Sequence, residues 1–146
     1  MLQQTQVKTV IPYFNNFTKK FKNLKALSKS NEREILKMWE GLGYYRRARN
    51  LLACSKLLVK NYKSKIPTTL KQIKELPGIG DYTGNALLGL VYNVPTIAVD
   101  GNVKRIFSRL INKEEKKINF NKLIDKNKKK LFSSNRNADF VEALME

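Results

Sequence analysis

A glycine-containing turn is the part of this sequence whose residue types and spacing most plainly allow chemistry. It reads Leu76-Pro77-Gly78-Ile79-Gly80 and lies between two helical segments. The two glycines permit positive φ and carry no Cβ atoms, so the N–H groups of the turn can point outward together. The N-terminus of the following helix adds partial positive charge, which suits a DNA phosphate. The sequence therefore predicts a phosphate-binding hairpin, with a simple helix–turn–helix connection as the alternative.

A second chemical feature is Asp100, which follows a segment containing Pro95 and directly precedes Gly101. Taken alone, an Asp-Gly pair before a helix is more often an N-cap than a catalytic group. Near a phosphate-binding hairpin, however, a carboxylate at a helix start could stabilise a cationic sugar in a transition state. The combination of hairpin and aspartate favours chemistry on a nucleic acid.

The charge balance favours the same class of partner. Lysine and arginine number 29 against 12 acidic residues, which gives a net charge of +17. A field of that sign favours nucleic acid or an anionic membrane surface, although a lysine-rich composition can also reflect codon usage. No apolar run reaches the roughly 20 residues of a bilayer span. One cysteine and no histidine exclude a disulfide framework and a Cys/His zinc site within this chain.

Helical periodicity runs through nearly the whole chain, and no stretch alternates with the period of two that is typical of a half-buried strand. The sequence therefore predicts an all-α protein. The predicted helices span residues 3–21, 31–40, 44–62, 69–75, 81–91, 102–111 and 138–146, and residues 93–99 are predicted to be extended. On the first helix, which should kink or restart at its proline, five apolar residues recur at helical spacings: Val7, Val10, Ile11, Phe14 and Phe17.

Three sequence blocks carry a family resemblance. They are MLQQTQV with IPYF at residues 1–7 and 11–14, GLGYY with RARNL at residues 41–45 and 47–51, and VDGNVKR at residues 99–105. With these blocks the chain resembles the helix-hairpin-helix superfamily of base-excision DNA glycosylases and, within it, the adenine DNA glycosylase family. The resemblance runs nearly from end to end and weakens after Arg109.

The resemblance implies the all-α helix-hairpin-helix DNA glycosylase fold. Residues 1–110 would form a six-helix barrel module, with the helix-hairpin-helix at about residues 69–92. Residues 111–146 would form the incomplete start of the helical subdomain that carries the iron-sulfur cluster. In this family four cysteines hold a 4Fe-4S cluster, and a monovalent cation can help the hairpin to bind its phosphate.

The resemblance also assigns residues to the DNA interface. Gln4 and Tyr44 would lie at the opened base pair, with Tyr44 wedged into the stack, although core packing is the alternative for this tyrosine. Leu2 and Gln3 would line the gap that an extruded base leaves, and such wedges help to hold the extruded state. The other residues assigned to DNA contacts are Arg47, Arg49, Leu76, Gly78, Gly80 and Lys104.

Asp100, Tyr82 and Asn102 are assigned to catalysis by the same resemblance. In the family's mechanism a glutamate protonates the flipped adenine, and the aspartate, here Asp100, stabilises the oxocarbenium-like sugar. Asn102 would hold the aspartate or a phosphate, and Tyr82 would support the sugar. Bifunctional relatives have a lysine nucleophile at the position of Tyr82, so the chain resembles the monofunctional branch, which leaves the DNA strand intact.

The chain departs from the family pattern at both ends. The family's catalytic glutamate lies two residues before the position of Met1, and the four cysteines of the cluster lie beyond residue 146. We therefore expect a fragment of a longer enzyme, or else a truncated product, and expect residues 1–146 alone not to excise adenine. The expected partner is double-stranded DNA with adenine opposite 8-oxoguanine or guanine. We expect a monomer that lies in the cytoplasm at the nucleoid and does not bind membranes.

Two alternatives stay open on the residues. A different glycosylase of the same fold, acting on mismatched thymine or oxidised pyrimidine, would keep Asp100 and the hairpin but lack the set of Gln3, Gln4 and Tyr44. A DNA-binding module without catalysis would keep the hairpin and the basic surface without needing Asp100.

Overall fold

The computed structural model describes residues 1–132 and 135–145, and within those ranges every regular element is a helix. The helices are α1 (Val7–Lys20), α2 (Leu24–Ser28), α3 (Glu32–Met38), α4 (Arg46–Asn61), α5 (Leu70–Lys74), α6 (Asp81–Tyr92), α7 (Gly101–Leu110), α8 (Phe120–Leu131) and α9 (Asn137–Met145), with a short 3-10 helix (Glu115–Lys117) before α8. The prediction of an all-α protein is confirmed. Glu146, at the end of the predicted last helix, lies outside the described residues.

The chain divides into two units. Unit 1 consists of Met1–Pro67 and Glu75–Gly78, and unit 2 consists of Thr68–Lys74 and Ile79–Glu146. The hairpin sequence therefore begins in unit 1 and ends in unit 2. The module boundary near residue 110, which was expected from the family resemblance, stays a prediction. Among the described helices, none is both long and apolar enough to cross a bilayer.

Unit 1 is built around Trp39, whose side chain is almost fully buried. The Phe17 ring of α1 meets the Trp39 ring edge-on at a centroid distance of 6.4 Å, an arrangement that aromatic pairs favour. α2 and α3 pack against α4, and α3 also packs against α1. The other buried apolar residues of this core are Val10, Leu27, Ile35, Leu42, Ala48 and Leu52. Leu42 belongs to this core and Met1 packs against it, so the core adjoins the two segments assigned to DNA, residues 1–4 and the loop that contains Tyr44.

α1 differs from the prediction in its start and in its buried face. It begins at Val7 rather than at residue 3, and its proline lies inside the helix. Only Val10 and Phe17, two turns apart, are buried, whereas Val7, Ile11 and Phe14 are 62%, 53% and 54% exposed. The periodicity identified the helix, but the apolar residues of α1 extend over a wider face than the one that is buried in the core of unit 1.

Unit 2 has its own core. α6 packs against α5 and α9, and α7 also packs against α9. Gly89 allows the close approach of α9, because a Cβ atom there would lie 3.1 Å from Val141 Cγ2. The buried apolar residues of this core are Ile97, Val103, Phe107, Phe120 and Ile124. The sequence analysis missed α8, because its lysine-rich sequence buries only Phe120 and Ile124.

Asn93 ends α6 and fixes the start of α9. Its backbone is left-handed (φ 53°), a conformation that asparagine tolerates at the end of a helix. Its Oδ1 accepts the Ala138 N–H at 2.9 Å, and its carbonyl accepts from Asn137 Nδ2 at 2.8 Å. Residues 94–99 then run without helix and lead directly to Asp100, whereas the left-handed Asn93 departs from the extended segment predicted for residues 93–99.

Candidate nucleic-acid interface

The loop before α4 presents Tyr44 to solvent from a strained backbone. Tyr44 has a positive φ of 48°, which is unusual for a bulky side chain, and such residues cost about 1–3 kcal/mol. Gly41 and Gly43 beside it also have positive φ, at 87° and 72°. Trp39 Nε1 donates to the Gly43 carbonyl at 3.0 Å and so ties the loop to the core of unit 1. Tyr44 is 62% exposed, and this rejects core packing as the alternative for this side chain.

Gly41 is required in this loop by space as well as by its φ. A Cβ atom at this position would lie 2.5 Å from the hydroxyl oxygen of Tyr13, closer than such atoms can approach. The glycine therefore lets the loop lie directly against Tyr13 while its own backbone is left-handed.

Arg47 joins this loop to the first residues of the chain. Its guanidinium donates to the Met1 carbonyl at 2.6 Å and also to the Gln3 carbonyl. Weaker bonds of 3.4 Å reach two loop carbonyls. The guanidinium carbon lies 5.6 Å from the Trp39 ring centroid and 5.2 Å from that of Tyr44, within cation–π range. The guanidinium is thus used inside unit 1, and the assigned contact of Arg47 with DNA stays a prediction.

The segment that Arg47 holds contains the other residues assigned to the opened base pair. Gln4 has a left-handed backbone (φ 56°), and the Thr5 N–H donates to the Leu2 carbonyl at 3.2 Å, so the segment turns before α1 begins. Leu2 is 56% exposed. The structure therefore brings Leu2, Gln3 and Tyr44 together through Arg47. Sequence reasoning missed this role, although an arginine in the first turn of a helix, where the helix dipole disfavours it, is a signal of a specific partner.

Arg49 differs from Arg47 in its surroundings. Its Nε donates to Glu32 Oε1 at 2.6 Å, and about half of each side chain is exposed. An exposed ion pair of this kind is weak and can exchange partners, so Arg49 remains available to a phosphate.

Of the predicted hairpin residues, Leu76 and Gly78 belong to unit 1 and Gly80 belongs to unit 2. Leu76 is only 2% exposed, so its side chain belongs to the interior. Gly78 has a φ of 81°, and a Cβ atom there would lie 2.6–3.0 Å from atoms of the Asn50 side chain. At Gly80, the N-cap of α6, an added Cβ would meet nothing within 4 Å. Gly78 thus allows a close approach within unit 1, and Gly80 leaves the backbone open at the start of α6 in unit 2, where a helix N-terminus suits an anion.

In unit 2, the Asp100 carboxylate acts on the Tyr82 phenol. Asp100 is the N-cap of α7 and accepts the Val103 N–H at 2.8 Å, so the capping role suggested by the sequence is real. Burial, and secondly the nearby Asp100 carboxylate, raise the pKa of the Tyr82 phenol above its usual value. Tyr82 is 42% exposed, so the pair lies at the surface, where a ligand can reach it.

Asn102 has different partners from those expected. Its Nδ2 donates to the Met145 carbonyl at 3.3 Å, and its Oδ1 accepts from Arg105 at 2.8 Å. These bonds join α7 to α9. The assigned contact of Asn102 with the aspartate or with a phosphate stays a prediction.

A surface cavity of about 570 Å³ lies beside Tyr82 in unit 2. It is lined by residues near the N-terminal ends of α6, α7 and α8 and by residues that precede α7 and α8: Asp81, Tyr82, Asn85, Val99, Lys104, Lys116, Lys117, Ile118, Asn119, Phe120 and Asn121. Lys104, which was assigned to a phosphate, is therefore at the same surface as Tyr82. Sequence reasoning missed Lys116 and Lys117, because they belong to a lysine-rich stretch without a distinctive spacing.

The described residues do not fit a metal cluster. They contain no group of three histidine, cysteine or acidic side chains that could hold a metal ion. Cys54 is the chain's one cysteine, and burial raises the pKa of its thiol, which disfavours the thiolate that a metal needs. A 4Fe-4S cluster with four cysteine ligands therefore cannot be assigned to these residues.

Comparison with known proteins decides the family. Residues 1–130 match the sequence model of the HhH-GPD superfamily base excision DNA repair protein. The chain belongs to this superfamily. Its fold also matches those of solved structures. A thermostable thymine-DNA glycosylase matches over 98% of this chain and 69% of its own, with a TM-score of 0.79 and 23% identity. A trapped endonuclease III–DNA covalent intermediate matches over 99% and 67%, with a TM-score of 0.76 and 20% identity.

Curated relatives carry a more specific name. The adenine DNA glycosylase of Buchnera aphidicola subsp. Baizongia pistaciae is 47% identical over 109 residues, which are 75% of this chain and 31% of the relative. That of Schizosaccharomyces pombe is 37% identical over 150 aligned positions, covering 100% of this chain and 32% of the relative. The HhH-GPD chain described here thus spans about a third of the length of these relatives.

Proposed function

We propose that this protein is an adenine DNA glycosylase that removes adenine paired with 8-oxoguanine or guanine in double-stranded DNA. The superfamily and the names of the curated relatives support this proposal. The observation that carries it is the proximity of Tyr82 and the Asp100 carboxylate at the surface of unit 2. A fixed negative charge beside a neutral phenol suits a sugar on which positive charge develops.

In the proposed reaction the bond between adenine N9 and C1′ of the deoxyribose breaks, and both electrons leave with the adenine, which is protonated as it departs. The sugar becomes an oxocarbenium-like cation, whose charge the Asp100 carboxylate stabilises. Water then adds to C1′ and loses a proton, so that an abasic site remains in an intact strand. The acid that protonates adenine in the family is a glutamate, for which we assign no residue of this chain.

Tyr82 supports hydrolysis without strand cleavage. A tyrosine phenol is protonated at neutral pH, and the raised pKa of Tyr82 extends that range upward. The phenol can therefore donate a hydrogen bond toward the sugar or toward Asp100. A phenol cannot form the Schiff base that an amine nucleophile forms with the opened sugar. The proposed enzyme is therefore monofunctional.

Unit 1 contributes to the opened base pair in this proposal. Tyr44 would enter the base stack, and Leu2, Gln3 and Gln4 would line the space that the extruded adenine leaves. The exposure of Tyr44 and Leu2 supports these roles, since an inserted wedge must be accessible before DNA binds. Strain at Tyr44 is the kind of feature that is retained at functional positions.

The remaining parts of the proposal concern phosphate, cofactors and location. The hairpin of Leu76, Gly78 and Gly80 would bind a backbone phosphate, and the family resemblance adds a monovalent cation there and a 4Fe-4S cluster elsewhere. No step above passes through either group, and the described residues supply no cluster ligands. The protein would act as a monomer on DNA, and therefore at the nucleoid.

A single-turnover assay tests the function, with the protein expressed from its complete open reading frame and short duplexes of defined mispairs. We expect adenine release opposite 8-oxoguanine and guanine, with strand breaks only after alkali treatment. Excision of mismatched thymine or oxidised pyrimidine instead of adenine would replace the proposal by another glycosylase activity. DNA binding without release of any base would replace it by a binding module.

A further inference from the structure

We propose that the cavity of unit 2 binds a phosphate of the DNA backbone through Lys116, Lys117 and the N-terminal end of α8. The inference rests on the proposed function, because the phosphate would belong to the strand whose sugar Asp100 contacts. The family resemblance assigned no role to either lysine. The cavity would thus be a phosphate site in addition to the hairpin.

The charges around the cavity favour an anion. Among the described residues, the side chains of Lys104 and Lys116 take part in no ion pair, and Lys117 pairs only with Glu114 at 3.1 Å, where both side chains are about 70% exposed. The one acidic residue in the lining, Asp81, is already paired with Lys74 at 2.5 Å. Three lysines therefore line the cavity, against one lining carboxylate that is already paired and the Asp100 carboxylate near Tyr82.

The helix ends around the cavity add to this charge. The first turns of α6 and α8 contribute two lining residues each, and that of α7 contributes Lys104, so partially positive helix ends lie near the cavity. In α8, Asn119 accepts the Lys122 N–H at 3.0 Å, but the N–H groups of Phe120 and Asn121 have no acceptor within the helix. Both residues line the cavity, so their amides can donate to a bound phosphate together with the lysines.

The position of the cavity indicates which phosphate it takes. Tyr82 is part of its wall, and Asp100 lies close enough to Tyr82 to act on its phenol. A nucleotide whose sugar reaches Asp100 would carry its own phosphates into the same neighbourhood. Lys104, in the first turn of α7, lines the same cavity, so its ammonium group can contact the same linkage.

The first experiment compares two charge-matched double variants by fluorescence anisotropy with a duplex containing adenine opposite 8-oxoguanine. We expect Lys116→Gln with Lys117→Gln to weaken binding about tenfold at low salt and to reduce the slope of log affinity against log salt by about one. The control, Lys128→Gln with Lys130→Gln, removes the same charge from the other end of α8, outside the cavity, and should leave the slope nearly unchanged. An equal loss in both variants would overturn the proposal. Circular dichroism checks that both variants fold.

The second experiment locates the phosphate. A neutral methylphosphonate is placed in turn at each linkage flanking the target adenosine. We expect the neutral group at one of these linkages to weaken binding by the wild-type protein but not by the Lys116/Lys117 variant. In that variant the two lysines that would bind the phosphate charge are already gone. Equal losses in both proteins at every linkage would overturn the proposal.

A third measurement distinguishes DNA from a free anion. If the methylphosphonate series shows no coupling while inorganic phosphate alone shifts the amide resonances of Phe120 and Asn121, the cavity takes a small anion and the DNA assignment is wrong. The readouts are independent of catalysis. Coupling between a linkage and the two lysines, with no adenine release, would contradict the proposed function and support the phosphate site. Adenine release without such coupling would support the function and contradict the phosphate site.

Discussion

In unit 1 the candidate DNA-contacting residues are held by a strained and closely packed loop, whereas in unit 2 the candidate catalytic residues lie at ordinary helix starts. Tyr44 and Gln4 have left-handed backbones, and Arg47 binds carbonyl groups in the segment that precedes each of them. Asp100, in contrast, has extended backbone and caps α7 as any helix-capping aspartate would. Unit 1 therefore holds its candidate residues by backbone conformation and packing, whereas unit 2 places a charged side chain at a helix start.

This difference has a consequence for substitutions. A residue fixed by strain and by several carbonyl bonds has no equivalent replacement, so changes in unit 1 should alter structure and DNA binding together. A capping residue has chemical equivalents, so changes in unit 2 can remove the reactive charge and keep the fold.

The largest expected effect is at Asp100. Asparagine caps a helix about as well as aspartate, so Asp100→Asn should keep the stability of unit 2 and the affinity for mispaired DNA. It removes the negative charge, and we expect adenine release to fall by about 10²–10³-fold. Asp100→Ala should lose the same activity and about 1 kcal/mol of stability as well.

Single-turnover kinetics and urea unfolding of the two variants separate the roles of Asp100. If Asp100→Asn releases adenine at the wild-type rate, the carboxylate is a cap alone and the contrast between the units disappears. If both variants are destabilised equally, the hydrogen bond to Val103 is not what holds the start of α7.

The hairpin and Asp100 were found in the sequence because their chemistry is local. A glycine that needs positive φ and an aspartate that caps the next helix act within a few residues, so their spacing along the chain is informative. The same holds for α4, α6 and α7, whose periodicity lies between clear breaks. α2 is only five residues long and was missed for lack of a sustained pattern.

The parts that could not be predicted depend on contacts between distant positions. Arg47 binds the carbonyl of Met1, 46 residues away, and no spacing indicates such a bond. Lys116 and Lys117 face the cavity beside Tyr82 only because unit 2 folds as it does. In α1 the pattern gave the helix but not which part of its apolar stripe would be covered.

A smaller effect is expected at Arg47, and it decides between packing and phosphate binding. Arg47→Gln removes the bonds to the Met1 and Gln3 carbonyls, and we expect a loss of about 1–3 kcal/mol in stability and weaker discrimination of mispaired from matched duplex. The matched variant Arg49→Gln breaks only an exposed ion pair and should cost less than about 1 kcal/mol.

The salt dependence of DNA binding gives the deciding readout for these two variants. If Arg47 acts inside unit 1, Arg47→Gln keeps the wild-type salt slope, whereas a phosphate contact would reduce it by about one. For Arg49→Gln we expect that reduction. The opposite pattern would reverse the roles of the two arginines and show that the loop of unit 1 does not depend on Arg47.

The smallest expected effect concerns the pH dependence of unit 2. The folded-state pKa of Tyr82 is raised, first by burial and then by Asp100, so the folded protein disfavours the charged phenolate. The stability linked to this group is therefore complete below the ordinary pKa of tyrosine and is lost as pH rises through the raised value. In a titration of tyrosinate absorbance, Tyr82→Phe should remove one phenol that titrates late. Tyr62→Phe is the control, because it removes a phenol in unit 1 whose pKa is raised by a different cause, its hydrogen bond to Glu75. Comparison of the two variants assigns each late titration to its tyrosine.

Asp100→Asn should then shift the Tyr82 titration to lower pH without abolishing its delay, because burial remains after the charge is gone. The same substitution should leave the titration of Tyr62 unchanged. An unshifted Tyr82 in Asp100→Asn would mean that the carboxylate does not act on the phenol. The proposed enzyme would then lack the pairing of charge and neutral hydroxyl on which its treatment of the sugar depends.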